Sequence, residues 1–297
     1  MIEGMRKPFV TSALVAIALT ACANAPAPSS NGVPTDPAAV LEAASVKTQA
    51  ACSAHMAFSF AIQTGGQAQS FTGDADINFG GGDPTKTEAH MRFAFPKSAG
   101  FNMGSMEMTL DAGPVIYLRS KLFSSFLGST TPWIKIDPAT VPGMSSQLGS
   151  LTGGQADPTG SLGLLYGLVD VKKIGVDTVD GADATHYQAT FDLAKALKEI
   201  PAAQRGALQQ AIDGLQKQSG SADLARMPID VWVDAKGYLK QFRYRLEVPQ
   251  SDSRTGGTFE MTLTLSDVGA PVDIQPPPAD QVTDIADLMP TGTTSSS

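Results

Sequence analysis

The sequence is poor in cysteine, in histidine and in long apolar runs. Its 297 residues include two cysteines, Cys22 and Cys52, and three histidines, His55, His90 and His186. Two cysteines cannot build the disulfide framework common in small exported domains. The histidines are far apart in the sequence, and no ligand spacing joins them, so no metal is expected. No segment reaches the about 20 apolar residues that a helix needs to cross a bilayer. Charge is scarce, at 17% of residues, and it is biased: 29 acidic against 21 basic side chains give a net charge of −8. An acidic exterior repels phosphate backbones and anionic headgroup surfaces alike, so neither nucleic acid nor an anionic headgroup surface is expected as the main partner. Catalytic signatures are missing as well. There is no G-x-S-x-G elbow, no H-E-x-x-H and no phosphate-binding loop. Gly80-Gly81-Gly82 follows a strand and reads as a turn. Asp177, Asp180 and Asp183 surround a hairpin turn and read as turn formers. The chain is therefore expected not to be an enzyme and to need no cofactor.

The N-terminal segment carries the most specific signal. A basic start, Met5-Arg6-Lys7, precedes an apolar run from Phe9 to Leu19, and small residues follow. That order is the grammar of a secretory signal peptide. Its end, Leu19-Thr20-Ala21-Cys22, resembles the lipobox of bacterial lipoproteins. The resemblance implies cleavage before Cys22, a diacylglycerol on its sulfur and acylation of the new amino terminus. Two or more acyl chains give stable anchoring, at about 0.8 kcal/mol per buried CH₂. Residues 1–21 are thus read as signal and 22–36 as a lipidated tether, rich in Pro, Ala and Ser and unable to bury a core. The expected address is the outer face of the cytoplasmic membrane, in the cell envelope. With Cys22 lipidated, no internal disulfide is possible, and Cys52 reads as a buried, inert thiol in a helical stretch.

Behind the tether, Asp36-Pro37 gives an N-cap and a first-turn proline for a helix to about Ala51. The period then becomes two. Met56, Phe58, Phe60 and Ile62 alternate with small or polar residues. So do Phe71, Gly73, Ala75 and Ile77; Ala89, Met91 and Phe93; and Met106, Met108 and Leu110. These are half-buried strands joined by short Gly, Pro or Asp linkers, which predicts antiparallel hairpins. Val115–Leu118 and Trp133–Ile136 are further strands around an apolar loop with Phe123, Phe126 and Leu127. A helix is expected from Pro158 to Val169, bearing Leu162, Leu164, Leu165 and Leu168. Residues 143–156, rich in Gly, Ser and Met, read as a lid or a surface loop. Val171–Val179 and Ala184–Phe191 flank the hairpin signal Asp180-Gly181. Helices are expected at Leu193–Ile200 and from Pro201 to near Gly220. Three more strands, around Ile229–Val233, Phe242–Val248 and Phe259–Leu265, close the pattern. The fold class is α+β: one domain, 37–288, with a curved antiparallel sheet of about ten or eleven strands. It forms a half-open barrel with about four helices on its concave face. Residues 289–297 are an expected disordered tail.

This pattern resembles the LppX/LprG-type lipoproteins of actinobacteria, relatives in fold of the LolA and LolB carriers. The matching stretches are Val115-Ile116-Tyr117-Leu118 with Trp133-Ile134-Lys135-Ile136-Asp137, then Val179-Asp180-Gly181 with Thr185-His186-Tyr187. Met227 to Asp234 and Thr262 to Gly269 match as well. The resemblance implies an apolar cavity between sheet and helices, a lipid or glycolipid ligand, and a role in carrying or presenting it. A membrane transporter is a candidate partner. Candidate cavity residues are Phe58, Phe60, Met91, Phe93, Met106, Met108, Leu164, Leu165 and Leu168, since Phe and Met fit varied apolar ligands. The alternative is an anchored interaction or sensor module with a filled core. Arg243, Arg245 and Glu247 form a solvated face, at best the rim of a headgroup contact. Replacing Cys22 by Ala is expected to abolish fatty-acid labelling and to move the domain from the membrane to the soluble fraction, read by labelling and fractionation.

Overall fold

Strict apolar–polar alternation folds most of the chain into one sheet. The computed structural model describes residues 34–80, 86–95, 104–112, 115–137, 140, 164–199, 205–206, 209, 227–248 and 256–288. Among them are twelve strands. They are β1 (Ser53–Thr64), β2 (Gln67–Asn78), β3 (Glu88–Ala94), β4 (Ser105–Asp111), β5 (Val115–Ser120) and β6 (Trp133–Ile136). The second half adds β7 (Leu168–Val179), β8 (Ala182–Phe191), β9 (Pro228–Asp234), β10 (Leu239–Val248), β11 (Gly257–Ser266) and β12 (Val282–Asp284). Four helices accompany them: α1 (Pro37–Ala50), α2 (Lys121–Leu127), α3 (Leu193–Glu199) and α4 (Ile285–Leu288).

The strand order is β12-β6-β5-β4-β3-β2-β1-β11-β10-β9-β8-β7. The two halves of the chain meet where β1 pairs with β11, Phe58 opposite Leu263. The sheet is curved and does not close, leaving β12 and β7 as edges. Both edges are guarded. β12 has three residues, and β7 is broken by register shifts at Val169/Lys172 and Lys173/Gly175. Short and bulged edges resist pairing with other chains. The turn between β7 and β8 fulfils its sequence signal: Asp180 and Gly181 have φ of 50° and 74°, as a two-residue hairpin needs.

α1 is set by its ends and by one narrow face. Asp36 accepts a hydrogen bond from the Ala39 N–H at 3.0 Å, and Pro37 opens the helix. Its buried face, Leu41, Ala44, Ser45 and Thr48, is mostly small, so the helix approaches the sheet closely. The Thr48 hydroxyl donates to Ala44 O at 2.7 Å and accepts from the Leu239 N–H at 2.9 Å. One buried hydroxyl thus joins the helix to the start of β10. At the same end Lys47 donates to Lys236 O in the β9–β10 turn and lies over the Tyr238 ring.

Four expectations change. The twelfth strand, β12, pairs in parallel with β6, so the sheet is mixed rather than wholly antiparallel; three residues are too few to show a period. The helix expected up to Val169 ends before it. Leu164–Gly167 is a single 3-10 turn and Leu168 already opens β7. The physical cause is local. β-Branched Val169, Val171, Ile174 and Val176 favour extended backbone, and Gly167 packs so tightly that a Cβ there would overlap the Phe191 ring and Ala196. The apolar loop after β5 is helix α2, stopped by Gly128 at φ 68°. Cys52 lies just past α1 in a left-handed conformation, φ 70°, and is half-buried rather than buried in a helix. The expected lid or loop 143–156, the expected helix residues 158–163, most of the expected helix 201–220 and the tail 289–297 lie outside the described residues.

Replacing Thr48 by Val strands the buried Leu239 N–H and is expected to cost about 1–3 kcal/mol of stability, read by urea denaturation.

Candidate functional site

The inner face of the sheet is the candidate site, and register explains its composition. Inward residues of neighbouring strands fall in rows. Phe58 stands opposite Gly73 on one side and Leu263 on the other, and Gly73 in turn faces Phe93. Phe60 stands between Phe71 and Met261. Met91 faces Ala75 and Met108, while Phe93 faces Met106. Large side chains therefore sit beside small ones or beside flexible Met.

The rings form a continuous band. Phe60 stacks on Phe71 with centroids 4.6 Å apart, Phe58 tilts against Phe93 at 5.1 Å, and Phe71 meets Phe95 at 5.5 Å. The band continues through Phe259 to Tyr244 at 6.0 Å. Contacts of this kind add about 0.5–1.5 kcal/mol each beyond burial. Gly73 makes the band possible, because its missing side chain leaves room for the Phe58 ring and for Arg92 O of the next strand.

Six of the nine candidate cavity residues sit in this face. Phe58, Phe60, Met91, Phe93 and Met108 are buried, and Met106 is half-buried against them. Leu165 and Leu168 are also buried, but elsewhere: they line a cleft of about 260 Å³ between α1, β7 and α3, with Leu41 and Val171. Lys195 crosses this cleft to donate to Leu168 O at 2.5 Å. Leu164 begins the 3-10 turn, and its side chain is outside the described residues, as is Cys22. Phe71, Phe95, Phe259 and Tyr244 are the members of the band that the candidate set omits. Their signal was the same alternation, weakened at Phe95 by the end of its strand.

A second cleft, of about 650 Å³, lies beside α2 and has a different character. Its wall is hydroxylic, with Ser105, Ser120, Ser124, Ser125 and Thr131 around Arg119. Arg119 pairs with Glu107 across the strands and lies over the Trp133 ring.

The outer face is polar and cross-paired. His55 bonds Asp76 at 3.0 Å, His90 bonds Thr109 at 3.0 Å, and Arg92 donates to Asp74 at 2.7 Å. The hydrogen bond to Asp74 raises the Arg92 pKa against the opposing effect of partial burial. His186 stacks on Trp232 at 4.3 Å and reaches Asp177 at 3.1 Å and Asp230 at 2.8 Å. Asp177 also accepts from the Trp232 indole at 2.8 Å, and Asp230 is held by Arg243. This cluster was not foreseen, because its members come from four strands. It is a network of satisfied side chains capping a small second core of Val179, Ala184 and Trp232. No three His, Cys, Asp or Glu side chains among the described residues are placed to hold a metal. On the inner face, burial pushes the Tyr187 phenol above its ordinary pKa.

No protein-family model matches the chain. A 31.2 kDa protein from the rplA–rplJ intergenic region of Streptomyces griseus is 28% identical over 123 residues, 41% of this chain and 37% of its own length. Among solved structures, LprF from Mycobacterium bovis is similar over 83% of this chain and 99% of its own, at 16% identity and a TM-score of 0.45. The lipoprotein LppX from Mycobacterium tuberculosis is similar over 81% of this chain and 100% of its own, at 17% identity and a TM-score of 0.40. A LolA-superfamily protein from Nitrosomonas europaea covers 83% of this chain and is covered over 97% of its own length, at 9% identity and a TM-score of 0.26. LprF and LppX are of the lipoprotein group that the sequence resembles.

Replacing Gly73 by Ala should force the Phe58 ring out of the band and cost about 1–3 kcal/mol, the range for overpacking, as a lowered thermal midpoint.

Proposed function

We propose that the chain is an envelope lipoprotein, held by lipid on Cys22 at the outer face of the cytoplasmic membrane. It takes the acyl chains of a lipid or glycolipid against the inner face of its sheet, and carries or presents them. The role is binding rather than catalysis, and a membrane transporter is the partner that such a carrier would serve. One observation carries this reading: an apolar band of Phe, Met and Tyr crosses β10, β11 and β1–β4 in a sheet with two free edges. Acyl chains need no fixed polar partners, and Met adapts to their shape. The cleft between α1, β7 and α3 is lined by no residue of that band, but its Leu41, Leu165 and Leu168 belong to the same buried core. Its volume of about 260 Å³ is just under the ~300–1,000 Å³ of common ligand pockets. Lipid entry on this route therefore needs α1 or α3 to move outward.

A second reading is an anchored interaction or sensor module with a filled core. The ring-on-ring packing of Phe58, Phe60, Phe71 and Phe93 favours it. Native mass spectrometry after exposure to envelope lipid extracts separates the two. A carrier retains lipid, and Val171→Trp, which narrows the cleft, should lower the bound fraction about tenfold when both chains are compared well below their thermal midpoints. A chain that holds no lipid across the extracts is the filled module.

A further inference from the structure

Phe126 is 84% exposed, the most exposed large apolar side chain among the described residues, and Leu122 one helical turn before it is 43% exposed. The adjoining side of α2, about 100° round the helix, is apolar too: Phe123 and Leu127 pack on the core. The helix is therefore held by one side and offers the other, unpartnered, to its surroundings. From Ser120 to Ile134 the only charged residue is Lys121. The acidic group beside the helix, Glu107 in the wall of the hydroxylic cleft, is paired with Arg119.

Register shows which end of the sheet carries α2. Ser120, just before the helix, aligns with Met106, then with Phe93, Gly73 and Phe58. Across the other half the row runs Leu263, Phe242, Val231, Tyr187 and Lys173. α2 continues beyond this row toward the end where β7 starts and β8 stops. The first turn of α1 is at that same end, since Asp36, Ala38 and Leu41 line the cleft with Leu165 and Leu168. The last turn of α1 is at the other end, on the β9–β10 turn. Asp36 and the first turn of α1 thus lie at the end of the sheet that bears α2. A stretch as long as residues 23–35 has a reach of at most about 47 Å.

We propose that α2 seats on the phospholipid surface of the membrane that holds the anchor, with Leu122 and Phe126 in the interface and Lys121 among the phosphates. The inference rests on the anchored reading of Cys22. Short apolar faces flanked by Lys are suited to this depth, where the ammonium stays at the headgroups. Docking then points the hydroxylic cleft beside α2 toward the headgroup layer.

The test uses the full chain from an acylating host, reconstituted in phosphatidylglycerol–phosphatidylcholine vesicles with or without bromine on the acyl chains. Phe126→Trp places a reporter at an exposed position. Leu122→Trp is a second reporter should the first disturb the fold, and the signal of the buried Trp133 and Trp232 is subtracted with the unsubstituted chain. The Phe126→Trp reporter should lose most of its emission in brominated vesicles, whereas Val46→Trp, exposed in the C-terminal half of α1, should keep its own. Equal emission in both kinds of vesicle overturns docking, whether or not Cys22 is acylated. So does a doubled mass in vesicle-free solution with the reporter shielded from iodide, which assigns the face to a second copy. The mass of Cys22 in the same samples reads the anchor independently, so loss of acylation and loss of docking are told apart.

Discussion

An open sheet with one apolar face has to cover that face, and this constraint shapes the rest of the molecule. Each large apolar side chain withdrawn from water contributes about 1.5–3 kcal/mol. A closed barrel would bury such a face against itself. Here the strand order ends in β12 and β7 without joining them, so coverage has to come from elsewhere. Part comes from the rings themselves, which lean on one another across β1, β2, β3 and β11. Part comes from α1, whose small residues let it lie close to β7, β9 and β10. The Thr48 hydroxyl then satisfies the Leu239 N–H beneath that helix. A bulkier helix face would leave that amide unpaired.

Much of this was legible, and the limits have physical causes. Alternation placed β1 to β5 and β8 to β11, because a period of two over six or more residues is hard to mistake and fixes the inward face. Asp36-Pro37 and Asp180-Gly181 placed a helix start and a hairpin, because each residue has a backbone reason to be there. Leu164, Leu165 and Leu168 misled. Their spacing suits a helix face, yet Gly167 and the β-branched residues that follow draw Leu168 into a strand. β12 was invisible, since three residues carry no period and parallel pairing to β6 is a long-range choice.

The candidate site was legible as a face but not as a shape. Phe58, Phe60, Met91, Phe93 and Met108 could be assigned to one side of the sheet from spacing. Whether that side holds space or side chains depends on ring angles and on Gly73, neither of which a period reveals. The outer cluster of His186, Trp232, Asp177 and Asp230 was hidden for the same reason. Each residue sits on a polar strand face with an ordinary local reading, and only pairing between β7, β8 and β9 brings them together.

The polarity of the domain then follows from α1. Its capped start lies with the cleft lined by Leu165 and Leu168, and its end is tied to the β9–β10 turn. The direction of one helix thereby decides at which end of the sheet Asp36 lies. Because β5 runs toward the same end, α2 and its exposed Phe126 are carried there too. On the proposed anchored reading, an anchor at the opposite end would leave that apolar helix facing water. The placement of a fourteen-residue helix thus sets the cap at Asp36 and the cleft at the end of the sheet where the exposed patch lies, and the proposed seating of α2 on a bilayer depends on that shared end.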